Sequence, residues 1–155
     1  MCLLAYKPAG TEFDWTAYAA GFASNPDGAG FAVTDGKGLT VEKGFFTFDE
    51  FRAALEPHVG KQAMVHFRIT THGETNDVNC HPFDVGGIRG DERGEGRLVV
   101  GHNGIIGAYQ PRREKDCGMS DTWHYTRNRL WPLWKDSEKF YHRDRLKSRL
   151  GKEIG

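Results

Sequence analysis

From Ala63 to Arg68 the chain has a period of two: Ala63, Val65 and Phe67 fall on one side of an extended segment, and Met64, His66 and Arg68 fall on the other. That period specifies a half-buried β-strand, because successive side chains of a strand point to opposite faces. The strand therefore carries a histidine and a guanidinium together on its polar face. Cys2-Leu3-Leu4-Ala5-Tyr6 is a second apolar run of strand length. It is followed by a turn-rich Ser24-Asn25-Pro26-Asp27-Gly28, and Ala29 to Thr34 and Leu39 to Glu42 flank Asp35-Gly36-Lys37-Gly38 as a hairpin. Thr47 with Glu50 forms a capping box, and Phe48, Phe51 and Leu55 give the helix behind it one apolar stripe, ended by Pro57 or Gly60. Arg97 to His102 reads as a further strand running into Asn103-Gly104, and Gly86 to Gly96, with five glycines, reads as an exposed loop. After Asp121 the pattern is helical, anchored by Trp123, Leu130, Trp134, Phe140, Leu146 and Leu150, with Pro132 kinking or breaking it. Strands interleaved with helices indicate an α+β or other mixed domain.

A length of 155 residues suits one domain, taken as 2–155, that buries about two-thirds of its unfolded surface. A hydrophobic content of 38% excludes a disordered chain, and no apolar run approaches the roughly 20 residues that span a bilayer. Lys+Arg and Asp+Glu balance at 21 each, so no overall field recruits nucleic acid or an anionic membrane. The balance is local to neither half. From Arg112 onward 12 basic residues meet 7 acidic ones, net +5, which leaves the preceding segment at net −5. The basic stretch, with Arg143, Arg145, Lys147 and Arg149, is either a solvated helix or a docking face. Three cysteines without a CxxC pair, and no signal-like segment, fit a reducing cytoplasm.

Four groups of residues can carry chemistry. Cys2 becomes the first residue once the initiator Met is removed, and one residue then supplies both nucleophile and base. A thiol of pKa near ~8.5 and an α-amine near ~7.7–8.0 are matched closely enough for the amine to take the thiol proton. The bland alternative is a small hydrophobe opening a strand. His66-Phe67-Arg68-Ile69-Thr70-Thr71-His72-Gly73, with Asn79-Cys80-His81-Pro82 beyond it, places an Arg on an open strand face with hydroxyl and imidazole groups near. This suits a carboxylate receptor or, equally, an internal ion pair. Asn103-Gly104 offers a carboxamide beside a glycine N–H, as an oxyanion hole requires, yet Asn-Gly is also a common turn. Ser120-Asp121-Thr122 suits both an ammonium receiver and a helix cap. Cys80, His81, His102 and Cys117 follow no usual ligand spacing, so no metal site is expected.

Taken in order, Cys2, Asn25 to Gly30, His66 to Gly73, Asn79 to Pro82, His102-Asn103-Gly104-Ile105-Ile106 and Ser120-Asp121-Thr122 resemble a family pattern. It is that of the class II glutamine amidotransferases, a branch of the N-terminal nucleophile hydrolases. In motif the chain resembles the glutaminase half of glucosamine-6-phosphate synthase over residues 2 to about 122, with 123–155 a helical, basic tail. The resemblance implies a four-layer αββα sandwich and no cofactor; where relatives continue with further strands this sequence stops, so the domain is naturally abbreviated, completed by a partner, or a piece of a longer protein. It implies that Cys2 attacks the side-chain amide of L-glutamine while Asn103 and the Gly104 N–H stabilise the oxyanion. Arg68, Thr71 and His72 would hold the substrate α-carboxylate, Asp121 and the Gly104 backbone its α-amino group, and His81 would support the pocket. With no acceptor domain in view, the ammonia would pass to a separate synthetase or ligase. Leu3 and Ile69 depart from the pattern, standing where relatives place Gly and Trp, and the span from His81 to Asn103 is long. The alternatives are an N-terminal-Cys amidohydrolase acting on another amide, which the Arg68–Asp121 pair disfavours, and a catalytically incomplete partner-binding domain.

Overall fold

A computed structural model describes residues 1–87, 98–111, 118–136 and 144–154. The expected glycine loop from 88 onward, Arg97, Cys117, Phe140, Arg143 and the side chains of Arg145 and Leu146 lie outside the described residues. The chain is α+β and divides into two compact units, Met1–Thr71 with Thr75–Pro82 and Gly101–Asn103, and His72–Glu74 with Phe83–Val100 and Gly104–Gly155. Among the described residues no helix is long and apolar enough to cross a membrane.

The first unit holds an antiparallel sheet of β1 (Leu3–Lys7), β2 (Ala29–Thr34), β3 (Leu39–Phe45) and β4 (Gln62–Phe67) in the order β1-β4-β2-β3. Leu3 pairs with Phe67 and Lys7 with Ala63, while Ala29 pairs with Phe67 and Thr34 with Gln62, so β4 lies between β1 and β2. The alternation in β4 is realised as expected: Ala63, Val65 and Phe67 enter the core with Ala29, Phe31 and Val33. The hairpin between β2 and β3 closes on Asp35, whose carboxylate accepts the N–H groups of Lys37 at 2.9 Å and Gly38 at 3.1 Å. Those two backbone bonds hold its carboxyl below the usual carboxylate range.

Two helices cover the core face. The helix α2 (Phe48–Leu55) starts at Thr47, which accepts from the Glu50 N–H at 3.3 Å and bonds the Glu50 carboxylate through its hydroxyl at 2.7 Å. Phe51 and Leu55 are fully buried, and a 3-10 turn, Glu56–His58, ends the helix at Pro57. The second helix, α1 (Trp15–Ser24), was not evident in the sequence pattern; Asp14 caps it by accepting the Ala17 N–H at 2.9 Å. Phe13, Tyr18, Phe22, Phe31, Phe51 and Phe67 form one aromatic cluster, with Phe51 and Phe67 rings 5.0 Å apart and nearly perpendicular. Each such ring stabilises the unit by roughly 1.5–3 kcal/mol through burial.

The second unit has shorter strands. β5 (Phe83–Asp84) pairs with β6 (Val99–Val100), so the strand expected from Arg97 to His102 is two residues long among the described residues. α3 (Asp121–Tyr125) is capped by Ser120, passes into a π-helical turn at Thr126–Leu130, and continues as α4 (Trp131–Asp136). Pro132 therefore does not break the helix. The Trp131 N–H reaches back to the Thr126 carbonyl, a wider turn that lies directly before the proline. Val85, Ile106, Tyr125, Leu130 and Trp134 form the core of this unit, with Leu150 of α5 (Asp144–Ile154) packed against it.

Candidate active site

Cys2 lies one residue outside the β1–β4 ladder, partly exposed, and its sulfur meets the backbone that continues β4. The Ile69 N–H donates to Cys2 Sγ and the thiol donates to the Ile69 carbonyl, each at 3.4 Å. Ile69 directly follows Arg68, so the sulfur of the expected nucleophile rests on the backbone next to the expected carboxylate clamp.

Arg68 is not on an open face. It is 3% exposed, and it sits where the turn after α1 extends the β2–β4 pairing: its N–H donates to the Gly28 carbonyl at 2.8 Å and its carbonyl accepts from the Asp27 N–H at 3.0 Å. The turn also fixes the next residues, because Asp27 Oδ2 accepts the Thr70 N–H at 2.7 Å. Gly28 has φ of +128°, and a Cβ there would strike the Cys80 sulfur, so the turn requires glycine on both counts. Thr71 is exposed, and the Thr70 hydroxyl bonds that of Thr75 at 2.9 Å.

The polar face of β4 carries a second arrangement. His66, fully buried, contacts His81 Nδ1 through its Nε2 at 2.9 Å and the His102 carbonyl at 3.2 Å. A carbonyl can only accept, so Nε2 of neutral His66 bears the proton and His81 Nδ1 shares it; His66 Nδ1 is then bare and makes no hydrogen bond. Burial first, then the neighbouring cations, pushes the His66 pKa down to about 4 and His81 well below its ordinary value. Both rings are neutral at pH 7. The loop bearing His81 is tied to β3 by Lys43, whose ammonium donates to the carbonyls of Val78 at 2.8 Å and Cys80 at 3.0 Å. Burial lowers the pKa of Lys43 and raises that of Cys80.

Of the expected residues, Cys2, Arg68, Thr71, His81 and Asn103 fall in the first unit, and Asn103 is exposed. His72, Gly104 and Asp121 fall in the second. There the carboxylate of Asp121, 6% exposed, accepts the N–H groups of Ile106 and Thr122. Ser120, not Asp121, is the helix cap. His72 Nε2 lies 3.3 Å from the Gln110 carboxamide nitrogen. Among the described residues no group of three or more His, Cys, Asp or Glu side chains is placed to hold a metal ion. Sequence reasoning missed His66 as the partner of His81 and saw Asp27 as a turn residue alone. Asp27 and Thr70 are 43 positions apart, so no local spacing reports the contact.

The chain is similar to known proteins over part of its length. It is 36% identical over 84 residues to a glutamine–fructose-6-phosphate aminotransferase (isomerizing) of Bacillus licheniformis, covering 54% of this chain and 13% of that protein. The protein of the same name from Escherichia coli K12 is 35% identical over 92 residues, covering 57% and 14%, and that of Aquifex aeolicus is 36% identical over 91 residues, covering the same shares. The chain is thus similar over rather more than half of its length to a part of these aminotransferases. The chain matches about one-seventh of the length of these curated relatives. No protein-family model matches it.

Proposed function

We propose that the chain is a glutaminase domain that hydrolyses the side-chain amide of L-glutamine to glutamate and ammonia. The observation that carries this reading is the seat of the Cys2 sulfur on the Ile69 peptide, one residue from buried Arg68. Once Met1 is removed, the Cys2 amine takes the thiol proton and Sγ attacks the amide carbon. The tetrahedral oxyanion draws on Asn103 and the Gly104 N–H, the proton passes to the departing nitrogen, and ammonia leaves. Water then cleaves the thioester to glutamate. Arg68, Thr71 and His72 receive the substrate carboxylate, and Asp121 with the Gly104 backbone receives its ammonium; these roles rest on the resemblance and on the identity with the aminotransferases. His81, neutral and bonded to His66, supports the segment that precedes the pocket residues.

The same reading makes 2–155 one amidotransferase domain with a four-layer αββα arrangement, working in a reducing compartment without a cofactor. The relatives are amino-transferring enzymes by name, which favours an acceptor of ammonia for this chain as well, a separate synthetase or ligase. Intact mass will show whether Met1 is absent, and glutamate release is then compared between wild type and Cys2→Ala. The processed wild type is expected to turn over glutamine and the variant to lose at least about 10³-fold. Equal rates in the two proteins would end the proposal.

A further inference from the structure

Ile69 touches the Cys2 sulfur with both of its backbone groups, and the far poles of both peptide units are held by one residue. In the unit joining Arg68 to Ile69, whose N–H reaches Sγ, the Arg68 carbonyl accepts from the Asp27 N–H at 3.0 Å. In the unit joining Ile69 to Thr70, whose carbonyl accepts from the thiol, the Thr70 N–H donates to Asp27 Oδ2 at 2.7 Å. A peptide unit is planar, so pinning one pole fixes where the other points.

The two contacts pull the thiol in opposite directions. An N–H aimed at sulfur favours the thiolate, whereas a carbonyl oxygen accepts from S–H and repels the anion. The backbone of any residue at position 27 can hold the first unit. The second is held by the Asp27 carboxylate.

We propose that Asp27 is a positioning residue that holds the Cys2 thiol on the Ile69 carbonyl, by anchoring the Thr70 N–H so that this carbonyl stays aimed at the sulfur. This deepens the glutaminase reading and rests on it for its purpose: the nucleophile is held with its proton until a base takes it. Without the carboxylate the Ile69–Thr70 unit is free to turn, S–H loses its acceptor and the sulfur is freer to react.

Alkylation of Cys2 by iodoacetamide at neutral pH, resolved from Cys80 and Cys117 by peptide mass spectrometry, tests this on the whole chain. Asp27→Ala is expected to raise the Cys2 rate about fivefold, the factor that a hydrogen bond of ~1 kcal/mol gives. Asp27→Asn keeps an oxygen that accepts the Thr70 N–H and should stay within about twofold of wild type. Buried Cys80 is the internal control, because general loosening would raise its rate too. The proposal is overturned by an Asp27→Ala rate equal to or below wild type, by Asn behaving like Ala, or by Cys80 rising in step with Cys2. If Asp27→Ala does not fold, Asp27→Ser removes the same reach and is read by the same criteria. Iodoacetamide needs no glutamine. A chain that alkylates as expected but releases no glutamate would sink the glutaminase reading alone; a glutaminase indifferent to Asp27 would sink this one alone.

Discussion

The strands of the first unit run five to seven residues and share one aromatic core, whereas the paired strands described in the second are two residues long and its core is gathered around helices. The contrast extends to the polar groups. In the first unit Cys2, Asp27, Arg68 and His66 are placed by register between segments far apart in sequence. In the second, Asp121 is fixed by the N–H of its neighbour Thr122 at the start of its own helix and by the N–H of Ile106 in the preceding segment. Register between distant strands fixes the first set of groups, whereas the second hangs on one helix start and the segment before it. The difference teaches where substitutions should hurt.

Phe67→Ala should have the largest effect. The ring is fully buried, 5.0 Å from Phe51 and 5.9 Å from both Tyr18 and Phe22, and its loss should cost about 3–5 kcal/mol in urea unfolding. A cost under about 1 kcal/mol would mean that the aromatic sheet core is not what holds the first unit.

The buried histidine pair should sharpen the comparison through pH. The His66 pKa is lowered to about 4 from 6.5, so the unfolded chain takes up the proton first as pH falls. Stability from this group is intact above about pH 6.5 and declines until the folded state also protonates near pH 4, a loss of up to about 3 kcal/mol. Denaturant midpoints at pH 7 and pH 4.5 should therefore differ more for wild type than for His66→Gln. An identical drop in both proteins would remove the buried ring as the cause.

The smallest effect belongs to the second unit. Arg129 grips Glu153 of α5 with two hydrogen bonds of 2.8 and 2.9 Å, but both side chains are about a quarter exposed. Arg129→Ala should cost no more than about 1 kcal/mol, and less in high salt. A larger or salt-independent loss would show that α5 is held as firmly as the sheet.

Much of the first unit was legible in the sequence. Period-two patterning marked β4, an apolar run of strand length marked β1, the turn Asp35-Gly36-Lys37-Gly38 marked the β2–β3 hairpin, and Thr47 with Glu50 marked α2, because each signal lies within a few residues. The helix α1 escaped for a physical reason. Its apolar residues lie around much of its circumference, and Gly21 sits in its middle. That glycine lets the helix approach the sheet, since a Cβ there would stand 3.0 Å from the Phe67 ring. Asp14, with Trp15, Tyr18 and Phe22 behind it, was the signal available. At the site, residue types pointed to Cys2 and Arg68, but the burial of Arg68 and the grip of Asp27 on Thr70 come from strand register, which sequence spacing does not encode. In the second unit the helix start at Ser120 was readable, whereas the wide turn before Pro132 leaves no mark in residue spacing.

One feature of the sheet bears on maturation. Pairing between β1 and β4 ends at Leu3 and Phe67, and the groups of Ile69 that lie beyond are engaged by a side chain, while Met1 is 90% exposed. An aminopeptidase that clips the first residue would therefore remove a spectator: the hydrogen-bonding ladder keeps every rung, and the newly bared nitrogen arises on an already assembled scaffold.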